Sequence, residues 1–356
     1  MVIDLDDPQV YRKFDPSNML ERIGELPLQC RQAWGSALDF PLPSDYSTVD
    51  KVVILGMGGS AIGGDLVSAL ALEEGVLPVL VHRDYGLPPS VDDRTMVIAS
   101  SYSGNTEETI LSFAQALKTP AKKLVITTGG RLKAMAEENG VPVFTYRYVA
   151  QPRAAFGYSF FSILGLLHKL GLLTFNSEDI EGTINLLQEL SPKLDRDVPL
   201  SANPAKQLAT RLLERLVIIY GAGILSKVAL RWKTQFNENS KTWAFSECFP
   251  ELDHNAVVGY RFPRWLAKRV FVVLLRSPSL HPRTQMRYQV TADILTESGI
   301  EFEFIEAQGE SRLSQIMSAV ILGDYVSYYL AILNQVDPSP VEVIDRLKER
   351  LGKIEI

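Results

Sequence analysis

Short apolar runs alternate with longer stretches of helical periodicity along the first half of the chain. Short continuous apolar runs are typical of buried parallel strands, and the stretches between them predict helices. The predicted strands are 51–55, 78–82, 96–100, 123–127 and 141–146, and the predicted helices are 61–74, 107–117, 132–139 and 154–173. Repeated βα units of this size favour a parallel sheet with helices on both faces and right-handed crossovers.

The second half of the chain repeats this pattern after a polar stretch. Residues 176–203 are polar with scattered leucines, and we expect a helical hairpin there between two domains. A buried strand over 216–220 then runs into another glycine turn, Gly221-Ala222-Gly223. The remaining predicted elements are strands 270–275 and 301–305 and helices 288–298 and 311–333. This restart is a weak internal repeat, so the sequence predicts two similar α/β domains.

The length of 356 residues is sufficient for two domains of ordinary size, each with its own core. In the N-terminal part, Pro16-Ser17-Asn18 is expected to cap a helix near 19–26. The predicted boundaries are an N-terminal helical extension over 1–48, a first domain over 49–175, a helical linker over 176–205, a second domain over 206–335 and a C-terminal helix over 336–356.

The composition is that of a soluble globular protein, with 46% hydrophobic and 22% charged residues. A net charge of −6 provides no basic field to recruit nucleic acid or an anionic membrane. Two cysteines, Cys30 and Cys248, cannot form a disulfide framework, and the four histidines show no metal-ligand spacing. The first residues lack the pattern of a signal peptide. We therefore expect a cytoplasmic protein without a metal site.

The most apolar stretch, 316–333, contains Asp324 near its middle. A membrane span would place that carboxylate in the bilayer at a cost of roughly 2.5–3.5 kcal/mol. A helix buried between domains or subunits is the better interpretation.

Two turns rich in glycine and serine follow the first and third predicted strands. They read Gly56-Met57-Gly58-Gly59-Ser60-Ala61 and Ser101-Tyr102-Ser103-Gly104-Asn105-Thr106. Each turn leads into a helix, where free backbone N–H groups and the helix dipole favour a bound anion. Turns from neighbouring strands of a parallel sheet can converge on one phosphate. The sequence therefore predicts a phosphorylated small molecule as ligand.

The first turn also approximates the dinucleotide-binding fingerprint, with Ala61 in its last position. That fingerprint places an acidic residue at the end of the second strand, about 20 residues further on. Here the strand ends His82-Arg83-Asp84, so the acidic residue Asp84 comes too late. A dinucleotide-dependent oxidoreductase is therefore a weaker alternative, as is a purely structural tight turn.

The second turn, continuing through Glu107-Glu108-Thr109, is similar to the phosphosugar-binding signature of the sugar isomerase (SIS) domain. Together the two turns resemble the bifunctional phosphoglucose/phosphomannose isomerases, and the resemblance extends from about Val49 to Leu351. It implies an α/β fold of two SIS domains, αβα sandwiches with a flavodoxin-like parallel sheet, plus flanking helices. The residues implied to hold the sugar phosphate are Gly58, Gly59, Ser60, Ser101, Ser103 and Thr106. Amides and hydroxyls are strong neutral donors to such a dianion.

A second cluster, Asn237-Glu238-Asn239-Ser240-Lys241 and Glu251-Leu252-Asp253-His254-Asn255, resembles the catalytic motifs of the same family. The resemblance implies that Glu238 is the base and that His254 opens the sugar ring. Isomerisation of an aldose to a ketose needs one carboxylate to move a proton and a group titrating near neutrality. Glu251 is a competing base, although a role in setting the loop fits it better. Ala256 replaces a glutamate common in the family, which affects loop contacts.

Three further residues acquire roles from the resemblance. Arg153, in Pro152-Arg153-Ala154, is implied to stabilise charge on the intermediate, for which a permanently protonated planar guanidinium is suited. Lys348, on a C-terminal helix with an apolar face, is implied to assist ring opening. Ser339 is a weak match for the small hydroxyl residue that leaves room for both C2 epimers.

The resemblance implies an enzyme that interconverts glucose 6-phosphate, mannose 6-phosphate and fructose 6-phosphate through a cis-enediol(ate), without a cofactor or a metal. It also implies a homodimer in which His254 can reach the partner's site, with neither nucleic acid nor membrane as partner. Two alternatives stay open: a non-catalytic phosphosugar-binding protein, and an SIS isomerase acting on another sugar phosphate.

Overall fold

The computed structural model describes residues 3–74 and 77–354. The ends of the predicted N-terminal extension and C-terminal helix, 1–2 and 355–356, lie outside the described residues. The helices are α1 (Pro8–Phe14), α2 (Met19–Gly24), α3 (Leu26–Asp39), α4 (Gly58–Glu74), α5 (Glu107–Ala116), α6 (Gly130–Glu138), α7 (Phe156–Lys169), α8 (Ser177–Leu194), α9 (Pro204–Leu212), α10 (Ser226–Glu238), α11 (Pro282–Glu297), α12 (Arg312–Leu333) and α13 (Glu342–Leu351). The strands are β1 (Lys51–Leu55), β2 (Val79–His82), β3 (Thr95–Ser101), β4 (Lys122–Thr127), β5 (Val143–Thr145), β6 (Leu216–Gly221), β7 (Ala244–Cys248), β8 (Val270–Arg276) and β9 (Glu301–Glu306).

The first sheet has five parallel strands in the order β2-β1-β3-β4-β5. This is the flavodoxin-like order, in which strand addition changes direction between β1 and β3. The register pairs Leu55, the last residue of β1, with Ala99 of β3. The carboxyl ends of the two strands therefore lie side by side, at the point where such sheets bind ligands.

The second sheet has four parallel strands in the order β7-β6-β8-β9. It repeats the order of the first four positions of the first sheet, so the predicted fold class of two similar parallel α/β units is confirmed. The sequence pattern did not predict β7. This strand is a short edge strand with mostly exposed or half-buried positions, so it lacks the continuous apolar run that marks a central strand.

Alternating strand residues divide each sheet between two cores. In β1, Val53 and Leu55 pack under α5 and α6, whereas Val52 and Ile54 face α4 and α7. The outer face of the second sheet packs against α11, and its inner face packs against α10 and α12. The inner faces of both sheets share one continuous core. The expectation of a separate core for each domain is therefore wrong for these faces, because the most apolar helices pack against one another between the sheets.

The apolar stretch 316–333 forms most of α12, which is long and apolar enough to cross a membrane by length and composition alone. Every residue of α12 except Arg312 and Leu322 is buried inside the protein. The carboxylate of Asp324 accepts hydrogen bonds from Arg231 Nη2 at 2.6 Å and from Gln235 Nε2 at 2.9 Å. The interpretation as a buried helix is confirmed, and its carboxylate is paired as burial requires.

The polar linker differs from the predicted hairpin. Residues 176–203 contain one helix, α8, followed by an irregular segment. The second helix, α9, begins only at Pro204, where the side chain of Asn203 accepts hydrogen bonds from the amides of Ala205 and Lys206. A capping asparagine followed by proline is a strong helix start, so the hairpin's second helix lies beyond the predicted stretch.

The start of α2 differs from the cap predicted at Pro16-Ser17-Asn18. Asn18 occupies the residue before α2, but it adopts a left-handed conformation and its side chain makes no capping hydrogen bond. The buried carboxylate of Asp15 accepts from the amides of Met19 and Leu20, at 2.7 and 3.0 Å. A charged acceptor reaching from a preceding turn therefore replaces the predicted cap.

Candidate active site

The two glycine- and serine-rich turns meet at the change of direction of the first sheet. One follows β1 and leads into α4, which begins at Gly58; the other follows β3 and leads into α5, which begins at Glu107. The hydroxyl of Ser60 accepts a hydrogen bond from the amide of Tyr102 at 2.9 Å. This contact joins the turns into one structure, which we call the phosphate cradle and define as residues 56–61 and 101–106.

Hydrogen bonds within the second turn fix its shape. The hydroxyls of Ser101 and Thr106 lie 2.9 Å apart, and the amide of Asn105 donates to the hydroxyl of Ser103 at 3.2 Å. Gly104 has a φ of +66°, and a Cβ there would lie 1.8 Å from the carbonyl oxygen of Gly129. Glycine is therefore required for both the conformation and the close approach.

The cradle supplies several donors to an anion. The first amides of α4 and α5 have no acceptor within their own helices, and the helix dipoles add positive potential. Ser103 is exposed and Thr106 half-buried, so hydroxyls remain within reach of a ligand. All six residues predicted to hold a phosphate belong to these two turns.

The backbone of Arg153 packs directly against the phosphate cradle. It lies in a short 3-10 helix, Pro152–Ala155, that precedes α7. A Cβ on Gly59 would lie 2.9 Å from the amide nitrogen of Arg153 and 3.0 Å from the carbonyl carbon of Pro152. Only glycine allows this approach, so the position of Arg153 depends on the first turn.

The guanidinium of Arg153 extends towards the second half of the chain, where it meets four acceptors. Nε donates to Asn239 Oδ1 at 2.6 Å, and Nη2 donates to the carbonyls of Pro338 and Ser339 at 2.5 and 2.9 Å. Nη1 lies 3.4 Å from Glu238 Oε2. Burial lowers the pKa of the guanidinium, while the charge of Glu238 opposes that shift. An arginine pKa begins far above neutrality, so this group supplies a fixed positive charge.

Glu238 is the last residue of α10, and its side chain is 26% exposed. The next residue, Asn239, is fully buried, and its Nδ2 donates to the hydroxyl of Ser327 on α12 at 2.9 Å. A rigid buried residue therefore holds the helix end while the carboxylate beside it remains open to a ligand. This combination suits a group that must transfer protons to and from a bound molecule.

Within residues 3–74 and 77–354, no group of three or more His, Cys, Asp and Glu side chains is arranged to hold a metal ion. The chemistry that these residues offer is that of an anion-binding cradle, a carboxylate and a fixed cation.

Comparison with known proteins shows the family of the chain. Residues 201–351 match the family model described as the bacterial phospho-glucose isomerase C-terminal SIS domain. The chain is 43% identical over 337 residues to a bifunctional phosphoglucose/phosphomannose isomerase of Caldicellulosiruptor bescii, covering 94% of this chain and 99% of that one. The chain belongs to the bifunctional phosphoglucose/phosphomannose isomerase family.

Two further relatives extend the comparison. A D-glucosamine-6-phosphate 4-epimerase of Sulfolobus acidocaldarius is 27% identical over 339 residues, covering 94% of this chain and 97% of that one. The crystal structure of a glucose-6-phosphate isomerase like protein from Thermus thermophilus superposes with a TM-score of 0.62, at 20% identity over 98% of this chain and 99% of that chain. The second likeness concerns the fold alone.

Two residues with roles implied by the bifunctional isomerase family are exposed on other elements. His254 is exposed in a short 3-10 helix, Glu251–His254, and Lys348 is exposed on α13. Among the described residues, neither side chain makes a hydrogen bond or ion pair with Glu238 or Arg153. The competing base Glu251 accepts a hydrogen bond from Asn255 Nδ2 at 2.9 Å, a contact within its own loop.

Sequence reasoning missed two residues of this candidate site. Asn239 binds Arg153 directly, and Lys241 donates to the carbonyl of Glu238 at 2.6 Å and to that of Pro338 at 3.2 Å. Both belong to the quoted Asn-Glu-Asn-Ser-Lys motif, so their place beside Glu238 was the available signal. The contacts to 338–339 come from a distant part of the chain and have no local signal.

Proposed function

We propose that the protein interconverts glucose 6-phosphate, mannose 6-phosphate and fructose 6-phosphate by proton transfer through a cis-enediol(ate). The observation that carries the proposal is the 3.4 Å approach of Arg153 Nη1 to Glu238 Oε2, beside the phosphate cradle. It supports the proposal because a carboxylate that can accept a proton lies beside a cation that can stabilise negative charge. The bifunctional relatives support the choice of sugars.

Binding begins with the phosphate. The dianion is held by the amides and hydroxyls of Gly58, Gly59, Ser60, Ser101, Ser103 and Thr106, which fixes the distal end of the sugar. The backbone of Arg153 is packed against Gly59, so the residue that carries the guanidinium is anchored at the cradle. An extended open-chain hexose phosphate can then place its first carbons against Glu238.

Glu238 carries the proton transfer. Its carboxylate takes the proton from C2 of the open-chain aldose, and the C–H electrons form the C1–C2 double bond while O1 takes the negative charge. Arg153 stabilises that oxyanion. Glu238 returns the proton to C1 as the O2–H electrons form the ketose carbonyl and the O2 proton passes to O1. No atom or electron is gained or lost overall.

Both C2 epimers can pass through one intermediate. The cis-enediol has no stereocentre at C2, so glucose and mannose 6-phosphates converge once the proton has left. The base must then meet the C2 proton of either epimer, which requires room for rotation about the C2–C3 bond. Ser339 fits this role, because its main chain binds Arg153 and its side chain is small and buried.

Ring opening precedes the proton transfer. We assign it to His254, with help from Lys348, and we propose that a homodimer brings His254 into the partner's site. In support, the His254 side chain makes no hydrogen bond or ion pair with Glu238 among the described residues. His254 is followed by exposed apolar side chains, Val258, Phe262 and Trp265, which are 78%, 62% and 70% exposed. Large apolar side chains exposed within eight residues of one another favour an interaction surface. We also propose a cytoplasmic location, which suits the two free cysteines.

A related chemistry on an amino sugar phosphate is the second candidate, because a relative spanning nearly the whole chain is named a D-glucosamine-6-phosphate 4-epimerase. A non-catalytic phosphosugar-binding protein is a third. It is disfavoured because binding alone would not need an open carboxylate fixed beside a buried cation.

The test is turnover of purified protein with glucose 6-phosphate, mannose 6-phosphate and glucosamine 6-phosphate, each followed by NMR in D₂O. The expected result is conversion of the first two sugars to fructose 6-phosphate, with loss of at least about 1,000-fold in kcat in Glu238→Gln. Glu189→Gln, an exposed residue of α8, is the matched control and should retain the wild-type rate. Turnover of glucosamine 6-phosphate alone would establish the second candidate, and binding without turnover would establish the third.

A further inference from the structure

Residues 334–341, which join α12 to α13, are bound by the side chains of Arg153 and Lys241. The carbonyl oxygen of Pro338 accepts hydrogen bonds from Arg153 Nη2 at 2.5 Å and from Lys241 Nζ at 3.2 Å. The same ammonium of Lys241 donates to the carbonyl of Glu238 at 2.6 Å. One lysine side chain therefore bridges the end of the base's helix and the segment that contacts Arg153.

The backbone at Lys241 is unusual for a side chain of this size. Its φ of +56° lies in the left-handed region, which non-glycine residues rarely adopt. This conformation turns the chain back after α10, so that the side chain of Lys241 can reach a carbonyl three residues earlier. This strained conformation accompanies the two hydrogen bonds that the amine makes.

We propose that Lys241 is a positioning residue for the isomerase reaction, which fastens the Glu238 peptide to the Pro338 carbonyl and so sets the distance between the base and Arg153. This proposal rests on the function proposed above. It assigns to Lys241 neither contact with the sugar nor transfer of a proton to it.

The surroundings of Lys241 give this bridge a pH dependence. Desolvation and the neighbouring Arg153 guanidinium lower the pKa of Lys241 to about 8, while the charges of Asp337, Glu238 and Glu342 act in the opposite direction. The ammonium is the stronger donor to the two carbonyls, because charged donors make stronger hydrogen bonds than neutral ones. As the pH rises through about 8, the bridge should weaken and kcat should fall.

The experiment compares the pH profiles of kcat and KM for the wild type, Lys241→Met and Lys241→Arg. Lys241→Met should lower kcat about 10- to 100-fold with little change in KM, because the phosphate cradle is untouched while the base is displaced. Lys241→Arg should recover part of that loss and should keep its rate above pH 8, since arginine stays protonated. Lys233→Met, also on α10, is the control, because the side chain of Lys233 makes no hydrogen bond or ion pair with any described residue.

A second measurement is independent of turnover. Trace labelling of amines with acetic anhydride at a series of pH values, read by peptide mass spectrometry, reports the pKa of Lys241 against the other lysines of the same sample. A value of about 8 supports the proposal. A value of about 10.4, as in model peptides, would overturn the predicted pH dependence, and a Lys241→Met variant with wild-type kcat would overturn the positioning role. Absence of turnover in the wild type would instead count against the proposed function itself.

Discussion

Arg153 and Glu238 are 85 residues apart in the chain, yet Nη1 of one lies 3.4 Å from Oε2 of the other. The arginine is 3% exposed and the glutamate 26%. The pair therefore joins a buried, fixed cation from the first half of the chain to an accessible carboxylate from the second. Neither half of the molecule contains this site alone.

The first prediction concerns the shape of the cation. Arg153→Lys keeps the charge but loses the planar fork that meets four acceptors, so the oxyanion would be stabilised less well. We expect kcat to fall about 100-fold, as for loss of an oxyanion donor. Steady-state kinetics with glucose 6-phosphate measures the effect, and circular dichroism checks the fold. Arg94→Lys, in an exposed ion pair with Asp50, is the control, and an equal effect in both variants would remove the special role of Arg153.

The second prediction concerns the link between the cradle and Arg153. The Cβ that Gly59→Ala adds would lie only 2.9 Å from the amide nitrogen of Arg153. The backbone of residues 152–153 must therefore move. A displacement near 1 Å at a catalytic group costs about 100-fold in rate. We expect a loss of that order in kcat, measured with both sugars.

The control for this change is another glycine-to-alanine substitution. A Cβ on Gly182, within α8, would meet no atom within 4 Å. Gly182→Ala should leave kcat unchanged and stabilise the protein by about 0.5–1 kcal/mol, through helix propensity. Wild-type kinetics in Gly59→Ala would show that the first turn does not position Arg153.

Whether a contact depends on a local motif or on distant packing decides which parts of the site could be predicted from the sequence. The turns, Glu238 and Arg153 stand in local motifs, and the strands that carry the turns have continuous apolar runs. The contacts of Arg153 with Asn239 and with the 338–339 carbonyls depend on how two distant segments pack, and no local pattern encodes them. The edge strand β7 and the shared inner core were missed for the same reason, because tertiary packing decides them.

The third prediction concerns the polar cluster beneath the site. Arg231 and Asp324 are both buried, and Arg231 Nη2 also lies 3.3 Å from the carbonyl of Arg153. Asp324→Asn leaves the guanidinium of Arg231 without its counter-charge. Breaking one side of a buried ion pair costs about 3–5 kcal/mol, and we expect a loss of that size in urea unfolding. Asp293→Asn, exposed on α11, should change stability by less than about 0.5 kcal/mol. Equal stability in the two variants would contradict this account of Asp324.

The fourth prediction tests the crossing of His254 between subunits. Glu238→Gln and His254→Ala variants should each be inactive, but a mixture refolded or exchanged together should regain activity. Random exchange makes half of the dimers mixed, with one chain of each variant. If Glu238 and His254 of one site come from different chains, each mixed dimer has one intact site and one site that lacks both groups. The expected activity is about a quarter of the wild-type value. A mixture as inactive as its components would place both groups in the same chain or exclude the dimer.

The most direct test of the central claim, that Glu238 serves both epimers through one enediol, starts from the ketose. Fructose 6-phosphate is incubated with the protein in D₂O, and the deuterium at C2 of the products is measured by NMR. Glucose and mannose 6-phosphates should both form with deuterium at C2, and the formation of both should fall to a similar extent in Glu238→Gln. Formation of only one epimer, or loss of only one in the variant, would contradict the claim.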